Sequence, residues 1–263
     1  MNRIDAKFKE LKKKHKKALI TYICAGDPNL RTTGELVLEL EKNGADIIEL
    51  GVPFSDPIAD GPTIQRAALR SLKNNTSLAD ILGLVRQLRE KSQIPILLMT
   101  YFNPVYQFGL EKLAQAAVKS GVDGFIIPDL LPESGRAASR ILKKHKLAPV
   151  YLVSPLTSGK RLALINKESA GFVYYVSVTG ITGARTSLPQ DIGRHAQSLR
   201  RYINQPVAVG FGVSNARQVK QLSAWFDGVI VGSAIVSIIE KNIGKKDLVA
   251  KVGRFVRSLM AKK

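Results

Sequence analysis

Short apolar runs alternate with amphipathic segments along the whole chain. The runs are almost continuously apolar, which predicts strands that are buried on both faces, as in a parallel sheet. The predicted strands are residues 19–24, 47–51, 96–100, 124–127, 150–153, 172–177, 207–210 and 228–231. The amphipathic segments predict helices at residues 33–43, 78–92, 110–120, 133–145, 159–167, 190–202, 216–224 and 246–260, with a further helix that begins near residue 63. The pattern is therefore a repeated strand–helix unit.

Repeated strand–helix units with right-handed crossovers predict an α/β fold, a single (β/α)8 TIM barrel. A lysine-rich segment before the first strand adds an N-terminal helix. A doubly wound open sheet is the alternative, but no Gly-x-Gly-x-x-Gly pattern follows the first strand. Neither a linker nor a change in composition divides residues 1–263. We therefore expect one domain.

An acid interrupts the second predicted strand, because Glu49 stands where another β-branched residue would fit. Burial of a carboxylate costs several kcal/mol, to an order of magnitude, unless the group is neutral or paired. Strand ends and the loops after them carry the chemistry of barrels, and the loop 52–62, which contains Asp60, follows directly. Proton transfer is one interpretation of Glu49; a structural pair with a cation or amide is the other. Asp60 alone is equally typical of a turn.

Glycine-bearing turns follow the last three predicted strands, at residues 180–185, 210–214 and 231–235. Glycine lets backbone N–H groups approach an anion, and a helix N-terminus adds the positive end of its dipole. Barrels commonly bind phosphate at the seventh and eighth loops. Each turn alone is weak evidence for an anion site, but two such turns at adjacent strand ends favour a phosphate-bearing ligand.

The composition limits the other classes of function. The net charge is +19, and the two terminal helices carry twelve of these charges, but neither a nucleic-acid motif nor an aromatic stacking pattern accompanies them. No apolar run approaches the roughly 20 residues of a membrane span, and the N-terminus does not resemble a secretory signal. Cys24 is the single cysteine, and the three histidines lack ligand spacing. We expect a cytoplasmic protein without a metal, a nucleic-acid partner or a membrane partner.

Six sequence blocks together resemble the tryptophan synthase alpha subunit, over residues 3 to 257. The most specific are Tyr-Ile-Cys-Ala-Gly-Asp-Pro at 22–28, the acidic block 49–65 and Thr-Tyr-Phe-Asn-Pro at 100–104. Blocks 178–185, 210–214 and 231–234 complete the set. The resemblance implies a lyase of tryptophan biosynthesis that cleaves indole-3-glycerol phosphate to indole and glyceraldehyde 3-phosphate. It also implies that the chain needs no cofactor, and that a pyridoxal-phosphate beta subunit joins it in an alpha2-beta2 heterotetramer.

The resemblance also assigns residues to roles. It implies that Glu49 is the general acid–base, that Asp60 faces the indole nitrogen and that Tyr174 is an active-site tyrosine. Tyr174 and Tyr175 are adjacent on a strand and point to opposite faces, and the resemblance selects Tyr174 as the inward one. Thr182 corresponds to the threonine that closes over Asp60. The implied phosphate-binding residues are Gly183, Gly212, Gly232 and Ser233, and the implied lining residues are Phe211, Ile64, Tyr101 and Ile126.

Other functions remain open at this point. The first alternative is another phosphate-binding barrel, such as an indole-glycerol-phosphate-forming synthase or a sugar-phosphate isomerase. Such an enzyme would need a lysine at a strand end, and none of the predicted strands ends in one. A catalytically weak subunit that mainly activates a beta partner is the second alternative. The second and sixth loops, 52–62 and 179–189, are long and rich in glycine or proline, so we expect a partner to act through them. Cys24 and the bulky fourth loop, 129–133, depart from the family pattern.

Overall fold

The structure is a computed structural model that describes residues 2–176, 191–210 and 212–260. Within these residues the strands form one parallel sheet, in the order β5-β4-β3-β2-β1-β9-β8-β7-β6. The strands are β1 (Ala18–Cys24), β2 (Ile47–Gly51), β3 (Ile96–Met99), β4 (Gly124–Ile126), β5 (Ala148–Val150), β6 (Leu152–Val153), β7 (Val173–Val176), β8 (Val207–Gly210) and β9 (Gly228–Val231).

Helices cover the outer face of the sheet and one end of the barrel. They are α1 (Arg3–Lys13), α2 (Leu30–Lys42), α3 (Pro62–Lys73), α4 (Leu78–Leu88), α5 (Phe102–Phe108), α6 (Leu110–Ser120), α7 (Arg136–Lys144), α8 (Gly159–Glu168), α9 (Ile192–Leu199), α10 (Ala216–Ser223), α11 (Ser233–Lys241) and α12 (Leu248–Leu259). No helix within the described ranges is long and apolar enough to cross a membrane.

The fifth predicted strand closes the ring. It consists of β5 and β6, with Tyr151 between them; β5 pairs only with β4, and β6 pairs only with β7. Pro149 has no N–H to donate to a ladder, which favours a change of partner at this point. The carbonyl of Tyr151 still accepts a hydrogen bond from the Tyr174 N–H at 3.0 Å. The predicted eight-stranded barrel is therefore confirmed, with one strand shared between two neighbours.

The apolar core has two parts, one inside the barrel and one between the sheet and the helices. Inward side chains such as Ile20, Ile47 and Leu97 form an inner cluster, and the outward side chains of the strands pack under the helices. The N-terminal helix α1 inserts Ile4 and Phe8 into the inner cluster. Because α1 precedes β1, it covers the end of the barrel where the strands begin. The opposite end is left for chemistry.

Two segments differ from the sequence-based expectation. Residues 102–108 form helix α5, whereas the sequence pattern predicted a loop between the strand 96–100 and the helix 110–120. Pro104 is the third residue of this helix, where the backbone N–H has no intrahelical partner, so proline is tolerated. Helix α11 has nine residues, where the sequence pattern predicted only the glycine-bearing turn 231–235. Both helices lie directly after strand ends and so border the site.

Candidate active site

Glu49 lies inside the barrel, at the centre of β2. Its register partners are Tyr22 on β1 and Leu97 on β3, and its side chain is completely buried. Neither carboxyl oxygen has a hydrogen-bond partner among the described residues. Burial without compensation favours the neutral acid and raises the pKa of Glu49 from 4.5 to about 8. The alternative of a structural ion pair has no support here.

Asp60 lies in the loop between β2 and α3 and is partly buried. The Tyr101 hydroxyl donates to Asp60 Oδ2 at 3.0 Å, and the Ala59 N–H donates to the same hydroxyl at 3.0 Å. The Gln65 side-chain amide donates to the Asp60 carbonyl at 2.8 Å. Burial raises the pKa of Asp60 to about 6, and the hydrogen bond from Tyr101 opposes that rise. Tyr101, predicted as lining, is therefore also a polar partner of Asp60.

Two tyrosines flank these carboxyl groups. Tyr22 and Tyr174 pack against the inner clusters, and burial raises both phenol pKa values well above 10. Both Glu49 and Asp60 add to these rises, which indicates that the two carboxyl groups lie close to both rings. Tyr22 was not among the residues predicted from the sequence. The alternation of inward positions on β1 places it level with Glu49 and could have revealed it.

Glycines on neighbouring strands make room for these rings. A Cβ on Gly51 would lie 2.1 Å from the Tyr22 hydroxyl, and a Cβ on Gly210 would lie 2.4 Å from the Tyr174 hydroxyl. Each phenol therefore lies across the backbone of the strand beside it. The last residues of β2 and β8 therefore pack directly against the two rings.

Tyr175 occupies the opposite face of β7. Its ring stacks on Phe226 at 5.3 Å between centroids, and its hydroxyl contacts His195 Nδ1 at 3.1 Å. It belongs to the outer core cluster, under the helices. Of the adjacent pair, Tyr174 is therefore the tyrosine that faces the interior.

The described parts of two predicted phosphate turns, 212–214 and 231–235, follow the last two strands. Gly232 is the N-cap of α11, Ser233 is its first residue, and a Cβ on Gly232 would lie 3.3 Å from Tyr22 Cβ. Gly212 has φ +63°, in the left-handed region that favours glycine. The free N–H groups of the first turn of α11 provide the positive end of a helix dipole at this point. Thr182, Gly183 and Phe211 lie outside the described residues.

The predicted lining residues lie in two places. Ile64 on α3 packs with Tyr22, Cys24 and Val236 at the top of the barrel. Ile126 on β4 is completely buried in the inner cluster below. Burial raises the pKa of the Cys24 thiol far above its usual range, so this thiol stays protonated. Cys24 is therefore a small apolar wall residue here.

An ion-pair network behind the opening was not predicted from the sequence. Arg70 donates two hydrogen bonds to the buried Asp27, both at 2.8 Å, and a third to Glu240 at 2.8 Å. Arg66 also donates to Glu240, at 2.7 and 2.9 Å. The network ties the first loop to α3, which follows Asp60, and to α11, which carries Ser233. It fixes the relative positions of the two ends of the site.

Within residues 2–176, 191–210 and 212–260, no cluster of three or more His, Cys, Asp or Glu side chains could hold a metal ion. The chemistry available in the described site comes from carboxyl groups, phenols and backbone N–H groups.

Known proteins resemble this chain over nearly its whole length. A family profile described as "Tryptophan synthase alpha chain" matches residues 8–262. The tryptophan synthase alpha chain of Citrifermentans bemidjiense is 46% identical over 259 residues, which cover 98% of this chain and 97% of that one. The crystal structure of the alpha subunit from Legionella pneumophila has a TM-score of 0.92 at 41% identity and covers 98% of this chain and 97% of that one.

A third relative comes from an assembled enzyme. The structure of the tryptophan synthase a2b2 complex from Pyrococcus furiosus contains a chain with a TM-score of 0.86 at 39% identity, covering 92% of this chain and 97% of that one. The profile spans nearly the whole sequence, and the resemblance inferred from the sequence blocks is confirmed. This chain belongs to the tryptophan synthase alpha chain family.

Proposed function

We propose that this protein performs its family's reaction with Glu49 and Asp60 in divided roles. As a tryptophan synthase alpha chain it is a lyase that cleaves indole-3-glycerol phosphate in tryptophan biosynthesis. The products are indole and glyceraldehyde 3-phosphate. The alternative of a catalytically weak subunit is not favoured.

The difficulty of this retro-aldol cleavage is that indole is a poor leaving carbanion. In our proposal neutral Glu49 gives its proton to indole C3, which leaves an iminium with positive charge on N1. The bond from C3 to the side chain then breaks and its electron pair returns to the ring. The side-chain hydroxyl becomes the aldehyde as it loses its proton to the Glu49 carboxylate. Ionised Asp60 stabilises the positive charge on N1.

One observation supports this division of roles most strongly. The pKa of Glu49 is raised to about 8 and that of Asp60 to about 6, so the two carboxyl groups fall on opposite sides of neutral pH. At pH 7 the first is mostly protonated and the second mostly ionised. Two carboxyl groups with separated pKa values are a recurring arrangement for paired acid and base roles. Tyr174 would contact the substrate between them.

We propose that the substrate's phosphate binds at Gly212, Gly232 and Ser233, with Gly183 and Thr182 from the sixth loop. The free N–H groups at the start of α11 support this placement, because they attract an anion without a counter-charge. The indole would then lie deeper, among Ile64, Tyr101, Ile126 and Phe211.

A beta partner would dock on the rim of the barrel. Exposed apolar side chains lie in the loops or helices that follow β2, β3, β4 and β6: Ile58, Tyr106, Leu131 and Leu156, which are 84%, 70%, 51% and 79% exposed. Exposed apolar groups at one surface are typical of interaction sites. The Pyrococcus furiosus relative comes from an a2b2 complex, which supports the same assembly for this chain. Pyridoxal phosphate would belong to that partner, and we place the assembly in the cytoplasm.

Glu49→Gln tests the acid–base role. The amide keeps the shape of the side chain but cannot exchange the proton, so we expect single-turnover indole formation to fall by at least about 10²-fold. The matched control is Glu35→Gln on α2, where the carboxylate is exposed and pairs with Arg31. Activity of Glu49→Gln within a few-fold of the unaltered protein would refute the role.

Gly212→Asp tests the phosphate site. A carboxylate beside the anion should weaken the binding of glycerol 3-phosphate, measured by calorimetry, by more than about tenfold. Gly244→Asp is the matched control, because Gly244 also has positive φ but its Cβ would meet no atom within 4 Å. Equal losses in the two variants would show backbone strain instead of contact with the phosphate.

A further inference from the structure

A second cleft lies at the other end of the barrel, where the strands begin. It has a volume of about 350 Å³ and lies between the end of α1, the segment after α9 and the turn before β9. Its lining is Phe8, Leu11, Lys12, His15, Lys16, Lys17, Arg200, Asn204, Gln205, Pro206 and Asp227. This volume is at the lower end of the range for small-molecule sites, roughly 300–1,000 Å³.

The cleft is strongly basic. Three lysines, one arginine and one histidine line it, against a single carboxylate. Asp227 contacts two of the cations: Arg200 at 2.5 Å and Lys17 at 3.6 Å. Asp227 thereby holds Arg200 and Lys17 at the wall of the cleft, and both cations keep further N–H groups that can bind a ligand. Lys12 and Lys16 form no ion pair with any side chain in the described ranges.

The backbone turn after α1 brings these cations together. His15 has φ +52°; its N–H bonds the Lys12 carbonyl, and the Lys16 N–H bonds the Leu11 carbonyl at 2.8 Å. This is a Schellman-type helix end, which satisfies carbonyls that would otherwise repel an anion. The turn also places residues 15–17 beside the last turn of the helix.

The rest of the lining would suit the uncharged part of a ligand. Phe8 and Leu11, which are 7% and 5% exposed, form a small apolar wall with Pro206, and Asn204 provides an exposed amide beside it. A single phosphate would engage only part of the cationic set. A nucleic-acid strand would need a long basic groove, whereas this cleft has a volume of only about 350 Å³.

We propose that this cleft is a binding site, separate from the candidate active site, for a small anion with a chain of phosphates. A nucleoside triphosphate and inorganic tripolyphosphate share this chemistry. The cationic side chains would bind the phosphate chain, and in the nucleotide the base would lie on the apolar wall. The site accounts for part of the excess charge that catalysis leaves unexplained.

The experiment compares two double variants of the full chain that lose the same charge from the same short segment, residues 9–16. Lys12→Gln with Lys16→Gln removes the two unpaired cations of the cleft. Lys9→Gln with Lys13→Gln removes two cations that do not line it. Binding of tripolyphosphate and of ATP, both without added metal, is measured by calorimetry at constant ionic strength near 0.15 M.

We expect saturable 1:1 binding that weakens about tenfold or more in the Lys12/Lys16 variant and less than about twofold in the Lys9/Lys13 variant. Tighter binding of ATP than of tripolyphosphate would identify the nucleotide as the ligand class, and equal binding would identify the phosphate chain. Ser233→Asp, which should block anions at the rim, would leave this binding unchanged. Equal weakening in both double variants, non-saturable binding, or loss of binding in Ser233→Asp would overturn the proposal.

Discussion

Replacement of Glu49 by glutamine should change how the stability of the protein depends on pH. Glu49 is completely buried, its oxygens have no hydrogen-bond partner among the described residues, and its pKa is about 8, against 4.5 in an unfolded chain. Between these two values the native state holds a proton that the unfolded state has released. Stability therefore falls as the pH rises through this window. Glutamine does not titrate, so the stability of the variant does not fall for this reason as the pH rises.

The size of the effect follows from the two pKa values. One pKa unit corresponds to about 1.36 kcal/mol, and integration from pH 5 to pH 9 gives a loss of about 4 kcal/mol that only the unaltered protein suffers. For a chain of this length, that is a relative change in melting temperature of about 10 °C. The stabilisation by neutral Glu49 is fully present below pH 4.5 and is gone above about pH 8.

Thermal unfolding of both proteins at pH 5, 7 and 9 measures this difference. The melting temperature of Glu49→Gln, relative to that of the unaltered protein, should increase steadily across the series. Glu35→Gln on exposed α2 provides a comparison in which the same chemical change occurs at the surface. Parallel curves for Glu49→Gln and the unaltered protein would refute the reasoning, because they would mean that Glu49 carries the same charge in the folded and unfolded states.

Three further substitutions test other parts of the site. Tyr101→Phe removes the hydrogen bond that lowers the pKa of Asp60, so the acidic limb of the kcat/KM profile, expected near pH 6, should move to higher pH; an unmoved limb would contradict the contact. Gly51→Ala would force the Tyr22 phenol to shift, and we expect kcat in steady-state assays to fall by at least about tenfold. A near-normal kcat would show that the position of this ring is not needed for catalysis. Arg70→Met leaves a buried carboxylate unpaired and should lower the free energy of unfolding by about 3 kcal/mol in denaturant titrations; a change below about 1 kcal/mol would speak against the network.

The barrel was predictable because its signal is repeated. Most strands are buried on both faces and the helices have one apolar face, so an error in one element does not change the number of strand–helix units. The errors fell where a local rule was overridden. A loop was predicted at residues 101–107, yet α5 forms there, and Pro104 occupies a first-turn position that needs no N–H donor. The division of the fifth strand into β5 and β6 reflects a change of pairing partner, and the periodicity of a sequence does not show which strands pair.

The candidate site was only partly predictable from the sequence. Glu49 is conspicuous because it is an acid in an apolar strand. The contact between Tyr101 and Asp60 joins residues 41 positions apart and arises only when the second and third strand ends meet at one rim. The roles of Gly51 and Gly210 depend on the rings that lie across them, which composition cannot indicate. Family resemblance supplied the roles of the residues, and the surroundings that set their pKa values needed coordinates.

Helix α1 affects more than the packing of the barrel floor. With Ile4 and Phe8 inserted among the inward side chains, the lower end of the barrel is filled. Within the part of the chain that the structure describes, this leaves the rim as the route to Glu49, and products would leave by the route on which the substrate enters. Indole, the smaller product, would have to travel outward past Asp60 and the loops around it. A partner seated on that rim would stand at the exit and could take up each indole before it diffuses into solvent.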